Sequence, residues 1–298
     1  MAPFSICLIL ISSAFHAFWN ILTQTSRNSQ FFSSLKGIWI LILAFLYFMF
    51  TGYPGHISQE LYFWAFFSGL LHGFYILSLS RAYNTQDISY VYPIARSAPV
   101  FVPIFAYFLL GEQLTASMAL AICVIILSIY TLHFDGHLIS GFKNLIDATL
   151  HRDLRWAFYT LALVISYSLV DKKGMDVFFQ LAPEQEFRNG ATFFFLEAII
   201  GFTLCNIYLF KVHPVREILS VWSLEWKKAL LAGIGTLMSY VIICVVLQHE
   251  EVSSVVALRQ TSVLMVVYWG CWKLGEPFGR QRLIAGGLTV VGLAIMSW

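Results

Sequence analysis

The sequence predicts an all-α polytopic membrane protein with ten transmembrane helices, arranged as two inverted five-helix repeats. Three observations lead to this prediction. The 298 residues are 59% hydrophobic and only 11% charged, whereas soluble globular chains carry about 25% charged residues. Apolar stretches of the length that spans a bilayer, about 20 residues, recur along the chain. One of these stretches has a second copy in the other half of the chain.

Ten stretches have the length and composition of a spanning helix. They are Pro3–Gln24, Phe31–Thr51, Leu61–Tyr83, Ile88–Leu110, Leu114–Phe134, Leu154–Lys172, Gly190–Phe210, Trp226–Gln248, Val252–Leu274 and Leu283–Trp298. Most connections are short, so we expect neighbouring helices to be antiparallel. Residues 135–153 are the exception. Their apolar residues recur at helical spacing among polar ones, a pattern typical of a helix lying in the membrane interface.

The repeated stretch is Ile88–Glu112, and its second copy is Val252–Glu276. Each stretch contains a single arginine, Arg96 or Arg259, followed by small or polar residues and an apolar run that ends in Gly-Glu. Both would be the fourth span of a five-span half. This correspondence predicts an internal repeat.

The predicted domain boundaries follow from the repeat. The interfacial linker 135–153 separates a first five-helix repeat, residues 1–134, from a second one, residues 154–298. Because five is an odd number, two homologous halves would be inverted relative to each other in the membrane. Inverted repeats of this kind are typical of secondary transporters.

Composition and motifs exclude several other classes. The formal net charge of +2 gives no reason to expect a nucleic-acid partner. The five cysteines lie singly in apolar runs without a Cys-x-x-Cys pair, so they indicate neither a disulfide framework nor a zinc site. The sequence therefore predicts no catalytic residue, no metal site and no cofactor. The first apolar run is too long for the core of a signal peptide and is expected to be a retained span.

Five short motifs occur in a recognisable order. They are HAFWN at His16–Asn20, PIARSAPVFVPIFAYFLLGEQLT at Pro93–Thr115, YSLVDKKG at Tyr167–Gly174, ALRQTSVLMVVYWGCWKLGEP at Ala257–Pro277 and AGGLTVVG at Ala285–Gly292. Together they resemble the EamA-like family of the drug/metabolite transporter superfamily. The resemblance implies a multi-pass, ATP-independent transporter of the bacterial inner membrane. It also implies export of small polar metabolites, such as amino acids or related anionic compounds, by alternating access around a central cavity.

The orientation in the membrane stays open. The resemblance implies that both termini are cytoplasmic and that the connection between the second and third spans is basic. Residues 51–60 here contain no lysine or arginine, and the distribution of basic residues over the predicted loops favours termini outside. The predicted partners are a small-molecule substrate and the lipid bilayer, with the protein acting as a monomer or homodimer.

Arg96 and Arg259 are predicted to contact the substrate, because an arginine within a span is costly and generally faces a cavity or a partner. Pro93 and Pro99 bracket Arg96, and a broken helix leaves backbone carbonyls beside a guanidinium that can bind a carboxylate or phosphate bidentately. The alternative is structural: the arginines cap those carbonyls or reach the interface. Gln260, next to Arg259, is a further predicted contact.

Two pairs of polar residues lie four positions apart on predicted helices. His16 and Asn20 share one helix face, and Tyr167 and Asp171 share another. These groups are predicted to meet where the two inverted helices approach, either as a substrate site or as a structural hydrogen-bond network. Asp171 and Glu197 are proton-coupling candidates, because a carboxyl in apolar surroundings can exchange a proton near neutral pH. A neutral Glu197 bonded to a neighbouring helix is the alternative.

Aromatic residues beside polar ones complete the predicted site. The predicted substrate-binding residues are Arg96, Arg259, Tyr75, Tyr92, His72, His16, Trp19, Asn20, Tyr167 and Gln260. His16 and His72 are further proton candidates.

An intramembrane enzyme that acts on a lipid or polyprenyl substrate is the alternative function. It would use His16, His72, Asp171 and Glu197, and it requires at least two of them within hydrogen-bond reach of one reacting atom.

Overall fold

Every regular element in the described part of the chain is helical. The computed structural model describes residues 1–52, 57–85, 91, 94–151, 153–274 and 279–296. The helices are α1 (Pro3–Gln24), α2 (Ser29–Thr51), α3 (Gln59–Thr85), α4 (Ala98–Leu110), α5 (Ala116–His133), α6 (Leu138–His151), α7 (Arg155–Leu181), α8 (Glu186–Val212), α9 (Val215–Leu247), α10 (Val252–Arg259), α11 (Thr261–Leu274) and α12 (Arg280–Met296). This confirms the predicted all-α class for the described residues.

Six helices are long and apolar enough to cross a membrane, namely α1, α2, α3, α5, α8 and α9. The other predicted spans do not meet both criteria within the described residues. Helices α4 and α12 are shorter, and α7 contains several charged residues. The predicted ninth span is divided into α10 and α11 at Gln260. The ten-helix count and the inverted repeat therefore stay predictions.

Two helices extend beyond the spans predicted for them. Helix α9 begins at Val215, and its first two turns are exposed except for Ile218, which is fully buried in a hydrophobic cluster. Helix α7 continues to Leu181 although it contains Lys172. The Lys172 ammonium donates to the carbonyl at the end of α9, 2.9 Å away, and pairs with Asp176 at 2.7 Å. The carbonyl and the Asp176 carboxylate together offset the positive charge of Lys172.

The chain divides into two compact units. Unit 1 comprises Met1–Ser13, Ser78–Leu169 and Glu250–Trp298, and unit 2 comprises Ala14–Leu77 and Val170–His249. Each unit combines segments from both predicted repeats. The boundaries predicted at residues 134 and 154 concern repeats rather than compact units, and they stay a prediction.

Small and hydroxyl residues join α5 to α12 in unit 1. Ser128 Oγ lies 2.6 Å from the carbonyl oxygen of Ala285 and 2.8 Å from Thr289 Oγ1. A Cβ atom on Gly292 would lie only 2.7 Å from the Ile125 side chain. Close backbone approach and buried hydroxyl bonds are the usual means of helix association in membranes, where lipid removes the hydrophobic driving force.

The Gly-Glu pair that ends the first copy of the repeated stretch terminates one helix and caps the start of another. Gly111 ends α4 in the left-handed conformation, with φ of 73°, so the chain turns sharply at this point. The next residue, Glu112, is buried, and its carboxylate accepts from Val252 N at 2.6 Å, Ser253 N at 3.3 Å and Ser253 Oγ at 2.6 Å. A carboxylate here satisfies the first amide groups of α10 and complements the helix dipole.

Glu112→Ala is expected to destabilise unit 1 by roughly 3 kcal/mol, because it leaves buried donors at the start of α10 without an acceptor. Glu112→Gln keeps one acceptor oxygen and should lose less. Thermal unfolding of the purified protein measures both. Gln113→Ala alters the exposed neighbouring residue and is the control. If Glu112→Ala unfolds at the same temperature as that control, Glu112 does not cap α10.

The linker between the predicted repeats contains helix α6. Its apolar side chains are largely exposed, with Ile139 at 90%, Ile146 at 61% and Leu150 at 73%. Polar residues such as Lys143, Asn144 and Asp147 lie between them. A helix of this kind would bury its apolar stripe along a bilayer surface, and the interfacial role stays a prediction.

Candidate functional site

A buried polar cluster in unit 2 brings together side chains from four helices. Helix α3 contributes Ser68 and His72, α7 contributes Asp171, α8 contributes Glu197 and α9 contributes Tyr240. Both carboxyl residues are almost fully buried, with exposed fractions of 1% for Asp171 and 3% for Glu197. Ionisable groups at such depth are rare in membrane proteins and usually functional.

Glycines allow α3 and α8 to touch at the backbone beneath the cluster. A Cβ atom on Gly69 would overlap the carbonyl oxygen of Glu197 and lie 2.8 Å from the Ile200 side chain. One helical turn on, a Cβ on Gly73 would lie 3.2 Å from the carbonyl oxygen of Gly201. This small-xxx-small spacing is a common basis of close helix packing in membranes. It holds Ser68, which precedes Gly69, against the Glu197 side chain.

The polar atoms of the cluster form a continuous chain of contacts. Ser68 Oγ lies 2.5 Å from Asp171 Oδ1 and 2.5 Å from Glu197 Oε2. The Tyr240 hydroxyl lies 2.7 Å from His72 Nε2 and also bonds Asp171 Oδ2. His72 Nδ1 lies 3.0 Å from the Ser68 carbonyl oxygen and 3.7 Å from Glu197 Oε2. Asp171 thus bonds both hydroxyl groups, and His72 closes the ring between Tyr240 and Ser68.

The hydrogens that these contacts require set a minimum for the protons on the ionisable groups. Each of five contacts needs one hydrogen: two at Ser68 Oγ, two at the Tyr240 hydroxyl, and one at His72 Nδ1, whose hydrogen the Ser68 carbonyl shares with Ser68 Oγ at 3.2 Å. The two hydroxyl groups supply only two hydrogens. The other three must come from His72, Asp171 and Glu197, so at least one of the two carboxyls is protonated. A charged imidazole with one protonated carboxyl supplies three hydrogens, and so does a neutral imidazole with two; in both arrangements the net charge is zero.

The same groups offer a set of metal ligands. One ligand atom each from His72, Asp171 and Glu197 lies within 4.8 Å of the others. The hydroxyl groups of Ser68 and Tyr240 already lie between these atoms at hydrogen-bonding distance. That arrangement favours protons over a metal ion as the species that the cluster holds.

Comparison with known proteins agrees with this architecture. The model of the EamA-like transporter family matches residues 3–134. Residues 3–134, called the EamA-like domain below, are therefore similar to that family. Over these residues the match confirms the resemblance predicted from the motifs, and it indicates a membrane transporter of the drug/metabolite transporter type. With the apolar helices, the EamA-like domain supports the predicted multi-pass membrane protein.

A solved structure adds evidence on the fold. A chain described as "Crystal structure of protein" is similar with a TM-score of 0.75, over 100% of this chain and 97% of that chain. The two sequences are 12% identical, so the similarity concerns the fold alone. No curated protein matches the sequence.

The EamA-like domain contains six of the predicted substrate-binding residues that the structure describes, and five of them lie in unit 2. His72 is in the cluster. His16 and Trp19 lie close together on α1, with ring centroids 4.9 Å apart, and the Asn20 amide donates to the His16 carbonyl oxygen at 2.7 Å. The Asn20 side chain therefore bonds a backbone carbonyl of its own helix. Tyr75 is half-buried on α3.

The remaining predicted substrate contacts belong to unit 1, apart from Tyr92, which lies outside the described residues. Arg96 is half-buried in the turn before α4, and Arg259 is the last residue of α10. Gln260 is buried at the break between α10 and α11, where its N–H bonds the carbonyl three residues back, at Ala257. Tyr167 is half-buried on α7. Among the described residues, Gln260 Oε1 has no hydrogen-bond partner.

The structure thus unites the three ionisable candidates His72, Asp171 and Glu197. It also adds residues that the sequence analysis did not select. Ser68 lies four positions before His72, on the same face of α3, which was an available signal. Lys36 was omitted from the ionisable residues of the spans, although it is the one charged residue of α2 and is buried there.

Proposed function

We propose that the chain is a proton-coupled, ATP-independent transporter of small polar metabolites, such as amino acids or related anionic compounds. The observation that carries the proposal is the buried cluster around Asp171 and Glu197, in a chain with an EamA-like domain. Coupling without ATP needs a group inside the membrane that gains and loses an ion during the cycle. Two carboxyls and an imidazole that share hydrogens are suited to this role.

Coupling would arise from the charge of the cluster. With its full set of hydrogens the cluster is neutral, so it is stable in a closed, apolar environment. Loss of a proton leaves a buried negative charge and a contact without a hydrogen. The deprotonated cluster then favours a conformation in which water reaches it, and this preference shifts the population between the two access states.

Substrate contacts are assigned to the predicted set. Arg96 and Arg259 would bind the anionic group, and Gln260 would contribute its amide. Support comes from the break in the helix at Gln260 and from the buried Gln260 Oε1, which lacks a hydrogen-bond partner among the described residues. Broken helices with polar residues at the break are common at the substrate sites of transporters.

The proposal also includes ten helices in two inverted repeats, a central cavity, export from the cell and a location in the bacterial inner membrane. They rest on the repeated stretches and on the family's usual behaviour.

The proposal is tested with purified protein in liposomes that contain a pH-sensitive dye. Addition of an amino-acid mixture is expected to change the internal pH, because substrate and protons cross together. Glu197→Gln should abolish this signal, since the side chain can no longer exchange a proton. Glu217→Gln, which alters an exposed acid at the start of α9, is the matched control and should leave the signal intact.

A normal pH signal from folded Glu197→Gln protein would rule out the cluster as the coupling site. The same liposomes address the enzyme alternative, which also draws on His72, Asp171 and Glu197. Mass spectrometry should recover the transported compound chemically unchanged, whereas an enzyme would convert it.

A further inference from the structure

A second polar site in unit 2 surrounds Lys36. This residue belongs to α2, and only 5% of it is exposed. Its ammonium lies over the indole ring of Trp19, 3.9 Å from the ring centroid. In the described part of the chain, it forms no ion pair and no hydrogen bond. The side chain therefore places a buried amino group against an aromatic face, with no anion beside it among the described residues.

The aromatic contact alone does not account for a buried lysine. An ammonium loses its hydration on burial, and the free-energy cost of that loss exceeds the stabilisation that one aromatic ring face provides. Cys205, which interacts electrostatically with Lys36, is not a counter-ion, because its thiol donates to the Gly73 carbonyl oxygen at 3.5 Å. The Lys36 amino group thus lacks an acceptor in the part of the chain that the structure describes, and an anion would supply one.

An indole N–H provides a second, independent indication. Trp39 Nε1 is buried and has no hydrogen-bond partner among the described residues. Trp39 lies three positions after Lys36, so the two side chains share a face of α2. Trp19 and Trp39 also pack against one hydrophobic cluster, formed by Phe32, Leu35, Ala229 and Ala232. An amino group and an indole N–H, both without an acceptor among the described residues, thus share this face of α2 beside two aromatic rings.

We propose that Lys36 and Trp39 bind the carboxylate of a small organic anion whose flat apolar part lies against the indole rings of Trp19 and Trp39. The ammonium and the indole N–H each donate to one carboxylate oxygen, and neither group competes as an acceptor. Ligand sites commonly combine an aromatic wall with a few polar groups of this kind. The site rests on the proposed transport function and deepens it by naming a substrate class, an aromatic carboxylate. The contact with Lys36 and Trp39 belongs to a step of transport other than the one in which Arg96 and Arg259 bind the anionic group.

Benzoate is the probe, and benzamide, which has the same shape without the charge, is its control. Binding to the full chain in detergent is followed by tryptophan fluorescence. Wild-type protein should bind benzoate in preference to benzamide and to chloride. Lys36→Met should weaken benzoate binding at least about tenfold, the loss expected for a charged hydrogen bond. Lys36→Arg should retain most of it.

Trp39→Phe keeps an aromatic ring, removes the donor and should also weaken benzoate binding. Trp226→Phe alters the ring that lies beside Trp39, with centroids 6.3 Å apart, and should have no effect. The unfolding temperature separates a binding role from a structural one. If Lys36 only stabilises the fold, Lys36→Met will unfold earlier than ligand-free wild type; we expect it to unfold at the same temperature or later.

Three outcomes overturn the proposal: no benzoate binding by wild type, equal binding of benzoate and benzamide, or unchanged benzoate affinity in both Lys36→Met and Trp39→Phe. None of them depends on a pH gradient. A failure here therefore leaves the proton-coupling test with Glu197→Gln unaffected, and a failure of that test leaves the benzoate result standing.

Discussion

Gly69→Leu is expected to prevent unit 2 from reaching its native packing. A side chain at this position meets the backbone carbonyl of Glu197, which cannot rotate away, and the Ile200 side chain at 2.8 Å. Helices α3 and α8 must separate, and Ser68 then loses its contact with Glu197. Overpacking costs about 1–3 kcal/mol or more, and the broken buried hydrogen bond adds about 1–3 kcal/mol. We expect most of the protein to misfold or aggregate.

Gly287→Leu is the matched control. Gly287 is also a helical glycine, but a Cβ atom there would meet no atom within 4 Å. Both substitutions replace glycine by a better helix former, which favours each helix by up to about 1 kcal/mol. The difference between the two variants therefore reports packing alone. Size-exclusion chromatography and thermal unfolding in detergent measure it, and equal behaviour of the two variants would contradict close contact of α3 with α8.

The apolar pattern was sufficient to predict most of the helices. A spanning helix is defined by a single property, the hydropathy of about 20 consecutive residues, and α1, α2, α5 and α8 nearly coincide with their predicted spans. The division of the ninth span at Gln260 was less accessible. No proline or glycine marks it, so the break depends on packing around the helix rather than on local sequence.

The candidate site was predictable in its charged residues and not in its hydroxyl groups. Asp171 and Glu197 stand out because charge is rare in apolar runs. Serine and tyrosine are common in spans, so nothing local distinguishes Ser68 and Tyr240 from hydroxyls that bond their own helix. The cluster depends on which helix faces meet, and the tertiary structure rather than the local sequence determines this.

The convergence predicted for His16 and Asn20 with Tyr167 and Asp171 depends on the same property. The Asn20 amide bonds its own helix, and the partners of Asp171 in the cluster are Ser68 and Tyr240. Spacing along one helix predicts which residues share a face, but it does not predict the residues that another helix presents to that face.

The proton count of the cluster leads to a prediction that needs no substrate. In either arrangement of hydrogens, at least one of Asp171 and Glu197 is a protonated carboxylic acid at neutral pH. Infrared spectroscopy detects this form by a carbonyl stretching band that a carboxylate lacks. Purified wild-type protein should show the band, and a variant with both Asp171→Asn and Glu197→Gln should lose it. Glu217→Gln alters an exposed acid and should leave the band unchanged.

Tyr240→Phe tests whether the hydroxyl groups set the protonation. Without this hydroxyl, His72 Nε2 and Asp171 Oδ2 lose their shared partner, and one fewer hydrogen is needed from the ionisable groups. The carbonyl band should therefore shift or weaken, whereas the Phe194 ring that packs on Tyr240 keeps its contact. A wild-type spectrum without a protonated carboxyl would contradict the hydrogen count, because both Asp171 and Glu197 would then be carboxylates. A band that survives removal of both carboxyls would belong to another residue, and the cluster would then not be the protonated site. Either result would remove the resting proton from which the proposed coupling through this site starts.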